Sequence, residues 1–183
     1  MDLATVVSIL GALGIGSVVT QHFAGSRDRR QIRAEVLTRL AEVESARWAA
    51  SGDAPTIDDF MRVVHSFETA ALIARIPREA VQQYVFYAFA GRSRSQDGVE
   101  SDRMSGDFDP EYSGALNAAF ADVVDDEAHE IAALVWAPLR SRYRLSHRLR
   151  KRRDAAVPHV PAGCLKHAES ALGPLPPTKK SRT

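Results

Sequence analysis

The 183-residue sequence has one cysteine, Cys164, so neither a disulfide framework nor a zinc ribbon can hold it together. A chain with so little cysteine is compatible with a reducing compartment, and a metal site would have to be built from His and carboxylates. Sustained alternation of polar and apolar residues is missing, which excludes a sheet protein. The chain also has no G-x-S-x-G elbow and no G-x-x-x-x-G-K-[ST] phosphate loop. No catalytic constellation emerges, and the expectation is a protein that is not an enzyme and carries no cofactor. Net charge is nearly absent, at +1. Charged side chains are missing altogether from Leu3 to Ser26.

The small net charge comes from unlike segments. Residues 1–26 carry −1, residues 27–40 carry +3, residues 41–139 carry −11 and residues 140–183 carry +10. As a helix, the uncharged stretch would measure roughly 36 Å, against about 30 Å of bilayer hydrocarbon. The basic cluster follows the apolar run, with only Asp2 ahead of it, which is the reverse of a cleaved signal peptide. Residues 1–26 are therefore expected to form a single transmembrane anchor. Arg27, Arg29, Arg30 and Arg33 then mark the cytoplasmic flank, with the N-terminus out and the bulk of the chain inside. Along the anchor, Ala4, Ser8, Ala12, Gly16 and Thr20 recur every four residues, a small-residue face of the kind that lets two helices approach in lipid. Homo-oligomers through this face are one expectation. The Ala- and Arg-rich, Lys-poor composition fits a GC-rich bacterial genome, and hence an inner membrane.

Residues 27–153 are expected to form an all-α cytoplasmic domain of about four helices. Ile32, Val36, Leu40, Val43 and Ala46 fall on one stripe, continuing the anchor helix to about Ala50. Ser51 to Thr56 breaks it, and Thr56 with Asp59 forms a capping-box signal. Phe60, Val63, Val64, Phe67, Ala70 and Ala71 define the next helix, and Pro77 suits the start of another lined by Val81, Tyr84, Val85 and Ala88 as far as Gly91. Phe86 and Phe89 fall off that stripe, so this helix is expected to be apolar on more than one side. Residues 92–109, rich in Ser, Asp, Gly and Arg, read as a mobile acidic loop. Asp109-Pro110 can open a helix with Leu116, Phe120, Val123, Ile131 and Leu134 along one face, ended by Pro138. A basic helix or arm follows from Leu139 to about Arg153. Residues 154–183, with five prolines, read as a disordered tail whose Pro174 to Lys179 stretch has a PxxP-plus-cation form.

Three groups of side chains invite a chemical reading. Asp126 and His129 have acid-x-x-His spacing, but with Asp122 and Asp125 they lie opposite the apolar stripe, where a solvated acidic face is expected. Glu127 falls within the stripe and needs a partner, and Arg75, at a similar place on the Phe60 to Ala71 stripe of the second cytoplasmic helix, is the candidate for a structural ion pair. Finally, Arg140, Arg142, Arg144, Arg148, Arg150, Lys151, Arg152 and Arg153 crowd into one short segment. Anionic lipid headgroups, the acidic middle of the same chain and nucleic acid compete for these cations, and tethering to a membrane favours the first two. The expectation is a single-pass membrane protein acting by self-association or as a scaffold. The alternatives are a soluble or peripheral nucleic-acid-binding protein and, more remotely, a phage-type membrane-lesion protein.

Overall fold

Helical spacing of apolar residues carries through into the computed structural model, which describes residues 15–48, 56–136 and 142–175. Six helices follow one another: α1 (Ile15–Ala46), α2 (Ile57–Ile73), α3 (Arg78–Ser105), α4 (Ala118–Trp136), α5 (Leu145–Ala156) and α6 (Ala162–Leu172). The fold is all-α, with no strand among the described residues. None of the described helices is long and apolar enough to cross a membrane. Of the segment expected to be an anchor, residues 1–14 lie outside the described residues, including Ala4, Ser8 and Ala12. Gly16 and Thr20 lie on the first turns of α1.

The sequence stripes account for the core. Val36 and Val43 of α1, Phe60, Val64 and Phe67 of α2, and Phe120 and Ile131 of α4 are fully buried. Burying each of the larger side chains stabilises the fold by about 2–3 kcal/mol before chain entropy is counted. On α4 the stripe is turned slightly from the expected one, because Val124 rather than Val123 is fully enclosed. The α2 start has the anticipated capping box: Asp59 N–H donates to Thr56 Oγ1 at 3.2 Å, and Thr56 N–H donates to the Asp59 carboxylate at 3.0 Å. The Thr56 hydroxyl also donates to the Asp59 carboxylate at 2.9 Å, and this bond, with the one from Thr56 N–H, holds the Asp59 carboxyl below its usual range.

Helix α3 contacts every other helix, which is why its apolar residues do not keep to one stripe. Val85 through Ala90 are all buried, Phe86 and Phe89 included. The Phe67 ring meets Tyr84 edge-on at 5.3 Å.

Two expectations need correction. Residues 92–105 are not a loop; they continue α3 as far as Ser105. Three of their polar side chains, Arg92, Ser93 and Ser95, are buried at no more than 5% exposed, while Arg94, Asp97 and Glu100 face outward. The segment following α3 folds back so closely that a Cβ on Gly98 would come within 3.0 Å of the Gly114 Cα. Gly114 itself has φ +76, and a Cβ there would lie 2.5 Å from the Ser95 carbonyl oxygen, so only glycine fits the turn. The next helix consequently starts at Ala118 rather than at Pro110.

The stretch from 154 to 175 is likewise ordered. Its helix α6 lies along α3, burying Cys164 and Ala168, and Leu172 and Leu175 pack against the core. A short amphipathic helix between prolines suffices because α3 supplies the apolar partner. The helical body thus extends past Arg153 to Leu172.

Candidate functional site

Two regions of the molecule collect charged side chains. The first is the seam between α4 and α5. Its centre is Glu127, 2% exposed, whose carboxylate accepts from Gln83 Nε2 at 2.9 Å. Gln83 also donates to the Leu149 carbonyl at 3.1 Å and accepts from Arg153 at 3.2 Å, so one buried amide ties α3 to both helices. Burial pushes the Glu127 carboxyl up to about 7, although the Gln83 hydrogen bond pulls it the other way. It pushes the neighbouring Tyr87 hydroxyl up to about 12. One turn along α4, Glu130 pairs with Arg148, and with Arg152 at 3.4 Å. A cleft of about 350 Å³ opens beside this seam, lined by Asp122, Asp126, Glu127, Arg152 and His159.

Glu127 is therefore the core-facing carboxylate that the stripe predicted, but its partner is not Arg75. Arg75 lies beside Leu134 and Val135, roughly 10 Å further along α4 at 1.5 Å per residue. Gln83, whose amide can serve as donor and acceptor together, has no direct signal in the sequence pattern.

The second region lies where the end of α2, the end of α4 and the first charged turns of α1 converge. A groove of about 530 Å³ has Ile32, Ile73, Ile76, Leu134 and Val135 in its lining. Four arginines border it: Arg29 and Arg33 from α1, Arg75 from the α2–α3 turn, and Arg142 from the segment before α5. No carboxylate lines it among the described residues. None of the four guanidiniums forms an ion pair among the described residues. Arg142 instead donates to the Arg75 carbonyl, joining two walls of the groove.

Arg75 occupies an unusual backbone position. After α2, Ile76 N–H bonds to Ala71 O at 2.9 Å and Arg75 N–H bonds to Leu72 O at 3.0 Å, the paired bonds of a Schellman turn. The residue at the centre of this motif is usually glycine, because it must be left-handed; here it is arginine at φ 57. Ile76, the next residue, is buried and fixes the turn against the core.

The basic segment is divided between the two regions. Arg140 lies outside the described residues. Arg142 serves the groove, and Arg144, left-handed at φ 52, stacks over the Tyr143 ring at 5.1 Å. Arg148, Arg152 and Arg153 turn into the seam, Arg150 contacts His147 at 3.3 Å, and Lys151 is exposed. Arg30 is exposed on α1 beside the groove arginines, and the side chain of Arg27 lies outside the described residues.

Other groups form no comparable constellation. Among the described residues no three His, Cys, Asp or Glu side chains are arranged to hold a metal ion. His129 hydrogen-bonds through Nδ1 to the Asp125 carbonyl oxygen at 2.7 Å on the exposed face of α4. Ser93 Oγ and His167 Nδ1 are 3.1 Å apart between α3 and α6, with the imidazole against Phe89, which makes them part of the packing of those helices. The groove, whose arginines have no ion pair among the described residues, is the candidate site. No protein-family model matches the chain, and comparison with the curated proteins and with the solved structures returns no match.

Proposed function

We propose that this protein works at an anionic membrane surface, held there by its uncharged N-terminal segment, with the helical body on the cytoplasmic side and the groove end turned to the bilayer. In this reading it acts by association, with itself or with a membrane partner. The observation that carries the reading is the composition of the groove end. Leu72 is 77% exposed, Ile73 62%, Trp136 65% and Tyr143 67%, and each lines the groove or adjoins a residue that does. Exposed aromatic and aliphatic side chains among arginines with no ion pair among the described residues match a bilayer interface, where rings settle at headgroup level and each cation gains about 1 kcal/mol from anionic lipid. The same end carries the part of α1 that follows the uncharged stretch, so tethering and surface contact act together.

Nucleic-acid binding through residues 140–153 is less well supported, since Arg148, Arg152 and Arg153 have partners within the chain. The membrane reading predicts that the full-length protein sediments with membranes, resists release by high salt or alkaline carbonate, and is released by detergent. Recovery in the supernatant after ultracentrifugation without detergent would overturn it.

A further inference from the structure

We propose that the arginine-bordered groove is a binding site for one anionic glycerophospholipid, its phosphate held by Arg75 and Arg142 with Arg29 and Arg33, and its first acyl carbons lying on Ile32, Ile73 and Leu134. The proposal deepens the membrane reading and rests on it.

Charge and shape select this occupant together. Four guanidiniums from three segments border one cavity with no carboxylate to neutralise them among the described residues. Guanidinium is the side chain best shaped for bidentate contact with phosphate oxygens. A free phosphate would satisfy the arginines and leave the isoleucine and leucine side chains of the lining uncovered. At about 530 Å³ the groove falls within the range of small-molecule sites and has room for a headgroup with adjoining methylenes.

Backbone geometry points the same way. Left-handed arginine is unfavourable where glycine would be relaxed, and such strain persists where the side chain is used. Arg75 is held in that state by the buried Ile76 on one side and by the Arg142 guanidinium on its carbonyl. The Arg142 guanidinium and the Arg75 backbone are thus positioned before any ligand arrives. Height along α1 is also suitable. Arg29 and Arg33 are one turn apart, and Arg29 begins about 5 Å beyond Ser26, within the headgroup layer that borders the hydrocarbon if the uncharged stretch is embedded.

The test uses full-length protein in a neutral detergent, titrated with dioctanoyl phosphatidylglycerol, dioctanoyl phosphatidylcholine and inorganic phosphate, with bound lipid read by native mass spectrometry. The expected result is saturable binding of one phosphatidylglycerol per chain, with phosphatidylcholine and phosphate each at least about tenfold weaker. Arg75→Gly and Arg142→Gln should each weaken phosphatidylglycerol binding about tenfold. Arg150→Gln, outside the groove, should leave it unchanged. Arg75→Gly retains the fold because glycine suits the left-handed turn. Inorganic phosphate binding as tightly as the lipid would overturn the lipid assignment in favour of a plain anion site. Lipid binding insensitive to both groove variants would overturn the location, and competition by an acidic peptide at equal affinity would overturn the ligand class. If saturable lipid binding fails while the protein still sediments with membranes, this inference falls and the membrane reading stands; recovery in the detergent-free supernatant removes both.

Discussion

At the α4–α5 seam, Arg148 and Arg152 meet Glu130, a carboxylate 5% exposed. At the groove, Arg142 meets a backbone carbonyl, while Arg29, Arg33 and Arg75 have no ion pair among the described residues. Both regions draw on the same basic stretch of sequence, yet one is neutralised internally and the other faces outward. A count of cations along a chain thus overstates what is free to bind. Side chains turned toward the acidic helix contribute to the fold, and the ones before α5 are left for a ligand.

The comparison yields a ranked series of tests. The largest effect belongs to Glu127. Its folded-state carboxyl titrates near 7, against an ordinary value of 4.5, so the native state retains a proton that the unfolded chain releases. The contribution to stability is fully present below the ordinary value, and is lost as pH rises through about 7. This loss is on the order of 3 kcal/mol when complete. Urea denaturation at about pH 5 and about pH 8.5 should show a decline that Glu127→Gln removes, leaving the variant more stable than the parent at the higher pH. An unchanged slope in the variant would show that Glu127 does not govern the seam.

Next comes Glu130→Ala, which strips the seam arginines of their carboxylate. Because both arginines retain water contact, the expected destabilisation is about 2 kcal/mol by chemical denaturation. A third test reverses the sign. Arg75→Gly removes a left-handed arginine and should stabilise the chain by about 1 kcal/mol, seen as a raised denaturation midpoint, while weakening lipid binding. Stability and binding moving in opposite directions is the signature of a residue kept for its side chain. The smallest effects belong to Arg29→Ala and Arg33→Ala, each within about 0.5 kcal/mol of the parent. A loss above about 1 kcal/mol from either would erase the distinction between the two regions.

Much of the fold could be read from spacing. The Val36 to Val43 and Phe60 to Ala71 stripes, the Thr56 cap and the inward placement of Glu127 all follow from periodicity, because each helix presents one apolar face to a common core. Reading failed where polarity was local and burial was not. The Ser93 and Ser95 stretch looks solvated in isolation, yet it is enclosed between α6 and the glycine turn at Gly114. The Cys164 and Ala168 face of α6 is too narrow to announce a helix among prolines. The groove was half legible. Arg29, Arg33 and Arg142 stood out as members of basic clusters, but Arg75 gains its position from a backbone turn at which sequence patterns favour glycine.

Helix α1 is unbroken from Ile15 to Ala46, about 48 Å long at 1.5 Å per residue. A rod of this kind transmits phase as well as distance. One residue inserted between Ser26 and Arg29 would swing the groove about 100° around the helix axis while raising it only about 1.5 Å. Seven inserted residues would nearly restore its bearing and lift it about 10 Å. The number of residues in α1 therefore sets a compass heading for the whole helical body relative to whatever holds its N-terminal end.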